Sequence, residues 1–124
     1  MLIKNITHST QRIGQAIAQL KQRFNEPLNM EALVGSVNMS PPSFYKHFRQ
    51  ITAISPLQYQ KSLRLTEAKR LILQGNHSLG EIAHLVGYES QSQFSREYAR
   101  LFGEPPLRDM QRLKDDEMKF GRMV

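Results

Sequence analysis

The sequence repeats itself at an offset of about 50 residues, and a chain that uses one structural unit twice has few ways to fold. In the first copy Asn29 precedes the apolar set Met30, Leu33, Val34 and Val37; in the second, Ser78 precedes Leu79, Ile82, Ala83 and Val86. Both sets have the spacing i, i+3, i+4, i+7, the stripe of a short amphipathic helix. Asn and Ser suit its N-cap, where a side-chain oxygen accepts from a backbone N–H that has no intrahelical partner. Asn38 and Gly87 follow at matching places, and both residue types tolerate the left-handed backbone of a tight turn. One extra residue enters the second turn. Beyond it Phe44, Phe48 and Ile51 match Phe94, Tyr98 and Leu101, and Pro56 matches Pro106. Each copy therefore reads as a short helix, a turn and a second amphipathic helix.

Helical spacing extends along nearly the whole chain, and no stretch alternates with the two-residue period of a half-buried strand, so the fold is expected to be all-α with about seven helices. A first helix is expected from Thr10, with Ile13, Ala16, Ile17, Leu20 and Phe24 on one stripe and Pro27 as its stop. Ser55 and Pro56 begin a longer helix over 56–73. Its arc of Leu57, Leu65, Ala68, Leu71 and Ile72 faces away from Tyr59, Leu63 and Leu73, which predicts a connector buried on both sides between two lobes. A short last helix is expected from Pro106 to about Leu113. On this reading 1–9 is a flexible N-terminal segment or linker remnant, 10–54 is lobe one, 56–73 the central helix, 78–113 lobe two, and 114–124 a frayed charged tail.

A helical hairpin with a left-handed turn is the helix-turn-helix pattern, whose second helix offers its outer face to the major groove. Such hairpins also build bundles and scaffolds, so composition matters here. The chain carries 17 Lys and Arg against 11 Asp and Glu, a formal charge of +6, and such a balance favours polyanions. The outer faces carry Pro42, Ser43, Tyr45, Lys46, His47, Arg49 and Gln50 in the first copy, and Gln91, Ser92, Gln93, Ser95, Arg96, Glu97 and Arg100 in the second. A guanidinium at Arg96 can pair bidentately with guanine, and Gln91 and Gln93 can pair with adenine. Lys46 and Arg49 fit phosphates. A basic adaptor that binds an acidic protein is the alternative. A membrane binder fits less well, because the basic residues are spread over several helices.

Other chemistries have little footing in the sequence. Cysteine is absent, the four histidines His8, His47, His77 and His84 form no HExxH pattern, and glycines occur singly, so neither metal nor cofactor is expected. No catalytic grouping can be proposed from spacing, and an enzyme is not expected. There is no apolar run of the roughly 20 residues a bilayer requires, nor the apolar core of a secretion signal at the start, so a cytoplasmic protein is expected.

Three segments carry a family resemblance: Ser78-Leu79-Gly80-Glu81-Ile82-Ala83, then Val86-Gly87-Tyr88-Glu89-Ser90-Gln91-Ser92-Gln93-Phe94-Ser95-Arg96, and the earlier Ser55-Pro56-Leu57-Gln58-Tyr59. Over about Thr10 to Leu113 the chain resembles the DNA-binding region of AraC-type transcription regulators. The resemblance implies seven helices, a long central helix joining two helix-turn-helix lobes, and sequence-specific binding of double-stranded DNA for regulation of transcription. It implies base contacts from Pro42, Tyr45 and Lys46 and from Gln91, Ser92, Gln93, Ser95 and Arg96, and phosphate contacts from Lys46, Arg49, Arg100 and helix N-termini. It further implies RNA polymerase as a partner and a sensor or dimerisation domain in a longer parent chain. Two departures bear on the site. Asp109-Met110 stands where the family usually has Tyr-Arg, so the last helix is expected to pack differently or more weakly; Pro42 stands where relatives often carry a longer side chain, so lobe one is expected to read bases less richly. A connector of about 27 Å, at about 1.5 Å per residue, against a groove repeat of roughly 34 Å leads us to expect an asymmetric site of about two turns bound by a monomer, with bending of the DNA.

Overall fold

The computed structural model describes residues 2–121, with side chains described for 8–119. Among the described residues there are seven helices and no strand: α1 (Leu2–Arg23), α2 (Met30–Ser36), α3 (Pro41–Thr52), α4 (Pro56–Gln74), α5 (Leu79–Leu85), α6 (Gln91–Phe102) and α7 (Pro106–Gly121). The all-α expectation and the long central helix are realised. Two terminal expectations are corrected. Helix α1 begins at Leu2 rather than Thr10, because neither Gly nor Pro precedes Gly14 and nothing there breaks a helix. Helix α7 continues past Leu113 to Gly121, since 107–120 also lacks Gly and Pro and holds two each of Leu, Met, Lys and Arg, which lose little freedom in a helix. Lys114 to Lys119, charged as expected apart from Met118, are exposed and helical rather than frayed. Met1 and 122–124, the rest of those two terminal segments, lie outside the described residues.

The chain divides into two compact units, Met1–Leu63 and Arg64–Val124, with the boundary inside α4. Unit 1 buries Ile13, Ala16 and Leu20 from α1 against Leu33, Val34, Val37, Phe44 and Phe48. The Phe44 and Phe48 rings stack at 5.6 Å, and Tyr59 of α4 meets Phe48 edge-on at 5.8 Å. Each such side chain, fully buried, stabilises the unit by about 1.5–3 kcal/mol relative to exposure. Gln60 lies buried in this unit, and its amide donates to the carbonyls of Phe24 and Glu26 at 3.3 and 2.7 Å, which satisfies the turn after α1. Helix α4 is started by a reciprocal capping box. The Ser55 hydroxyl accepts from the Gln58 N–H at 3.2 Å, while Gln58 Oε1 accepts from the Ser55 N–H at 3.1 Å.

The buried residues of unit 2 are Leu65, Ala68, Leu71 and Ile72 of α4, Ile82 and Ala83 of α5, Val86, Tyr88, Phe94 and Tyr98 of α6, and Pro106 of α7. Cations lie over two of its rings, Arg64 over Tyr88 at 5.5 Å and Lys69 over Phe102 at 4.4 Å. The Tyr98 hydroxyl donates to Asp109 at 2.6 Å, and Arg112 pairs with both Asp109 and Glu104. Asp109 thus links α7 to α6 through the Tyr98 hydroxyl, beside the buried Pro106. Four apolar residues read as inward are exposed: Ile51, Leu57, Leu73 and Leu101. In α3 and α6 the residue that turns inward at the last step is the next one along. Thr52 bonds the carbonyls of Phe48 and Ile54, and Phe102 packs on Tyr98 at 4.6 Å.

Candidate nucleic-acid interface

Each recognition helix is held by a braced turn. In unit 1, Asn29 caps α2 by accepting from the Ala32 N–H at 3.1 Å, and Asn38 takes a positive φ of 55° at the turn. The Arg12 guanidinium donates to the Asn38 carbonyl at 3.2 Å, tying that turn to α1. Helix α3 follows Ser40, which makes no side-chain cap bond, and begins with Pro41 and Pro42. In unit 2, Ser78 accepts from the Glu81 N–H at 3.2 Å to cap α5, Gly87 turns at φ 103°, and Ser90 accepts from the Gln93 N–H at 3.2 Å to cap α6. The Glu81 carboxyl is held below the usual carboxylate range, first by His77, whose Nδ1 lies 3.2 Å away, and then by Ser78.

With Phe44 and Phe48 fully buried, the opposite side of α3 must face outward, and Pro42, Tyr45, Lys46 and Arg49 are all exposed there. Their spacing, i, i+3, i+4, i+7, puts them on one strip. His47 is half-buried instead, with Nδ1 2.8 Å from the Ser43 carbonyl oxygen of its own helix. In α6 the buried pair is Phe94 and Tyr98, and Gln91, Ser92, Gln93, Arg96 and Arg100 are exposed, while Ser95 is half-buried. Glu97 was expected on the outer face but is half-buried, because it turns toward Tyr88. Burial, and after it the Glu97 carboxylate, pushes the Tyr88 phenol well above its ordinary range. Burial and Asp109 do the same to Tyr98.

Sequence periodicity found these outward strips but missed two neighbours of them. Gly80, in the first turn of α5, is one: a Cβ there would meet Oε1 of Gln91 at 3.3 Å, so the Gln91 carboxamide rests on the bare backbone of α5. A glycine inside a short helix pattern was the available signal. The other is a group of apolar side chains beside Tyr45, where Met30 and Met39, both packed against the core of unit 1, reach its edge. Among the described residues no group of three or more His, Asp or Glu could hold a metal, and no helix is long and apolar enough to cross a membrane.

The arrangement matches known proteins over both copies. Residues 33–112 match the family model described as a helix-turn-helix domain. Over 114 residues, 92% of the chain, the sequence is 29% identical to the HTH-type transcriptional activator RhaS of Salmonella schwarzengrund (strain CVM19633), and it spans 41% of that protein. The chain thus covers about two fifths of the length of the curated relatives it matches. A transcriptional regulator with an AraC-type DNA-binding domain from Chromobacterium violaceum superposes with a TM-score of 0.77 at 25% identity, over 85% of this chain and 94% of that one. The DNA-binding domain of AdpA, a global transcriptional factor solved in complex with a target DNA, shares the fold at a TM-score of 0.77 and 24% identity, over 84% and 94% of the two chains. With two capped hairpins of matching geometry and a family match that runs from α2 into α7, the chain belongs to the AraC-type helix-turn-helix family.

Proposed function

We propose that this chain binds double-stranded DNA in a sequence-specific way, with α3 and α6 as its two recognition helices, and so regulates transcription. The observation that carries the proposal is the pair of exposed strips, Pro42, Tyr45, Lys46 and Arg49 on α3 and Gln91, Ser92, Gln93, Arg96 and Arg100 on α6, each aimed outward by two buried aromatic rings. Arg96 is the residue for guanine, and Gln91 and Gln93 are suited to adenine; Ser92, Ser95, Pro42, Tyr45 and Lys46 line the base edges. Lys46, Arg49 and Arg100 take phosphates, and the net charge of +6 supports attraction over a longer range. Helix α4, with 19 residues and so about 28 Å long, tethers the two hairpins and supports binding to neighbouring major-groove segments of one asymmetric site. In this reading the protein works at the nucleoid in the cytoplasm, with RNA polymerase as a further partner and a sensor or dimerisation domain in a longer parent chain.

Selection of bound duplexes from a random pool, followed by gel shifts at two salt concentrations, tests the proposal. A single enriched sequence of about two turns, bound with an affinity that falls steeply with salt, is the expected result. An enriched palindrome bound only by a dimer would remove the monomer geometry. No binding to any duplex at low salt would remove DNA altogether and leave an acidic protein as the partner.

A further inference from the structure

The two copies differ in the space between the first helix of the hairpin and the start of the second. In unit 1 this space is open, an apolar cavity of about 300 Å³ lined by Met30, Val34, Met39, Pro41 and Tyr45, with Glu31 as the one charged residue in its wall. The cavity adjoins the recognition strip, because Tyr45 belongs to both. Tyr45 is 47% exposed and its ring is set edge-on against Phe44 at 6.0 Å, so that it meets the core on one side while much of its surface stays open.

Phosphate is a poor occupant of this cavity. The Glu31 carboxylate repels it, and Pro41 and Pro42 remove two of the backbone N–H groups by which a helix start holds an anion. A duplex offers one apolar group on the base edges of its major groove, the C5 methyl of thymine. We propose that the cavity beside Tyr45 seats the C5 methyl of a pyrimidine, so that unit 1 selects thymine by apolar contact rather than by hydrogen bonding. This inference rests on the DNA-binding reading and specifies what one half of it recognises.

Unit 2 is built differently at the corresponding place. The repeat aligns Glu31 with Gly80 and Pro41 with Gln91, and there the Gln91 carboxamide lies against the Gly80 backbone, 3.3 Å from where a Cβ would stand. A polar group already occupies that position. Methyl recognition is therefore a property of α3 and not of α6.

Deoxyuridine isolates the methyl, since it differs from thymidine in nothing else. In a duplex selected by the wild-type chain, each thymine is replaced in turn by uracil. Affinity is expected to fall about fourfold at one or two positions, the effect of returning one methyl to water, and to stay level elsewhere. Tyr45→Ser, with a thermal melt to establish that it folds, should bind thymine and uracil equally at those positions. Uracil tolerated throughout the site, a selected site with no uracil-sensitive thymine, or a thymine preference that survives Tyr45→Ser would each overturn the inference while leaving DNA binding intact. Failure of the wild-type chain to select any sequence would overturn the parent reading as well.

Discussion

Unit 1 begins its recognition helix with Pro41 and Pro42 after an unbonded Ser40, whereas unit 2 begins with Gln91 and Ser92 after a Ser90 that caps. The helices also end differently, at Ala53 with φ 69° and at Gly103 with φ 88°. Yet the residues between these ends are interchangeable in kind, two buried aromatics four apart in each case. The comparison separates two tasks. Apolar spacing orients the helix, and the residues at its start decide which chemical groups it presents. Unit 1 presents carbon surface and a phenol; unit 2 presents amides, hydroxyls and the first-turn N–H groups of Gln91 and Ser92, that of Gln93 being taken by the Ser90 cap.

If the two cores are equivalent, their matching aromatics should be equally costly to remove. Phe44→Ala and Phe94→Ala are each expected to lose about 3–5 kcal/mol, read from denaturant midpoints, and a clear inequality would show that one unit leans on something the other lacks. A smaller effect separates reading from anchoring. Arg96→Ala should lose about 1–3 kcal/mol of discrimination at a single base pair, whereas Arg49→Ala should weaken all sequences alike and lower the salt slope by about one. Repeated selection with each variant distinguishes the two outcomes; a uniform loss for Arg96→Ala would move it to the phosphates.

The helix ends allow a sharper test of asymmetry. Ala53 takes a left-handed conformation that costs a residue with a Cβ roughly 1–2 kcal/mol, so Ala53→Gly should stabilise the chain by up to about 1 kcal/mol once the greater freedom of unfolded glycine is offset. Gly103→Ala should destabilise by a similar amount. Thermal melts that moved in the same direction for both would contradict the assignment. Least in stability, but most specific to unit 2, is Gly80→Ala. It adds helix propensity worth up to about 1 kcal/mol while forcing the Gln91 carboxamide to shift by a few tenths of an ångström. A higher melting temperature with altered preference at one base pair is expected, and a preference that stays unchanged would show that Gln91 reads nothing from that position.

Much of this architecture was legible because its determinants are local. The caps Asn29, Ser78 and Ser90 bond to N–H groups three residues away, and Asn38 and Gly87 mark the turns by their own conformational tolerance. The outward positions of Tyr45, Lys46, Arg49, Arg96 and Arg100 follow from the same period that buries the aromatics. What periodicity cannot give is where a neighbouring element stops. Ile51 and Leu101 lie on the apolar side of their helices by angle, but beyond the reach of the core they meet water. The outer limits of α1 and α7 carry no stop signal, so spacing alone does not place them. Gln60, Tyr88, Glu97 and Asp109 depend on partners remote in sequence, which spacing within one helix does not reveal. The bases that Gln91 or Arg96 would touch depend on the duplex, about which no apolar pattern carries information.

Tyr98 does two things at once: its ring fills the floor beneath α6, and its hydroxyl donates to Asp109 on α7. Removing the acceptor would strand a buried donor, at a cost of about 1–3 kcal/mol, and removing the phenol would leave the Asp109 carboxylate with Arg112 alone of these two partners. Positions 98 and 109 are thus energetically coupled, so that a change at one alters what a change at the other costs.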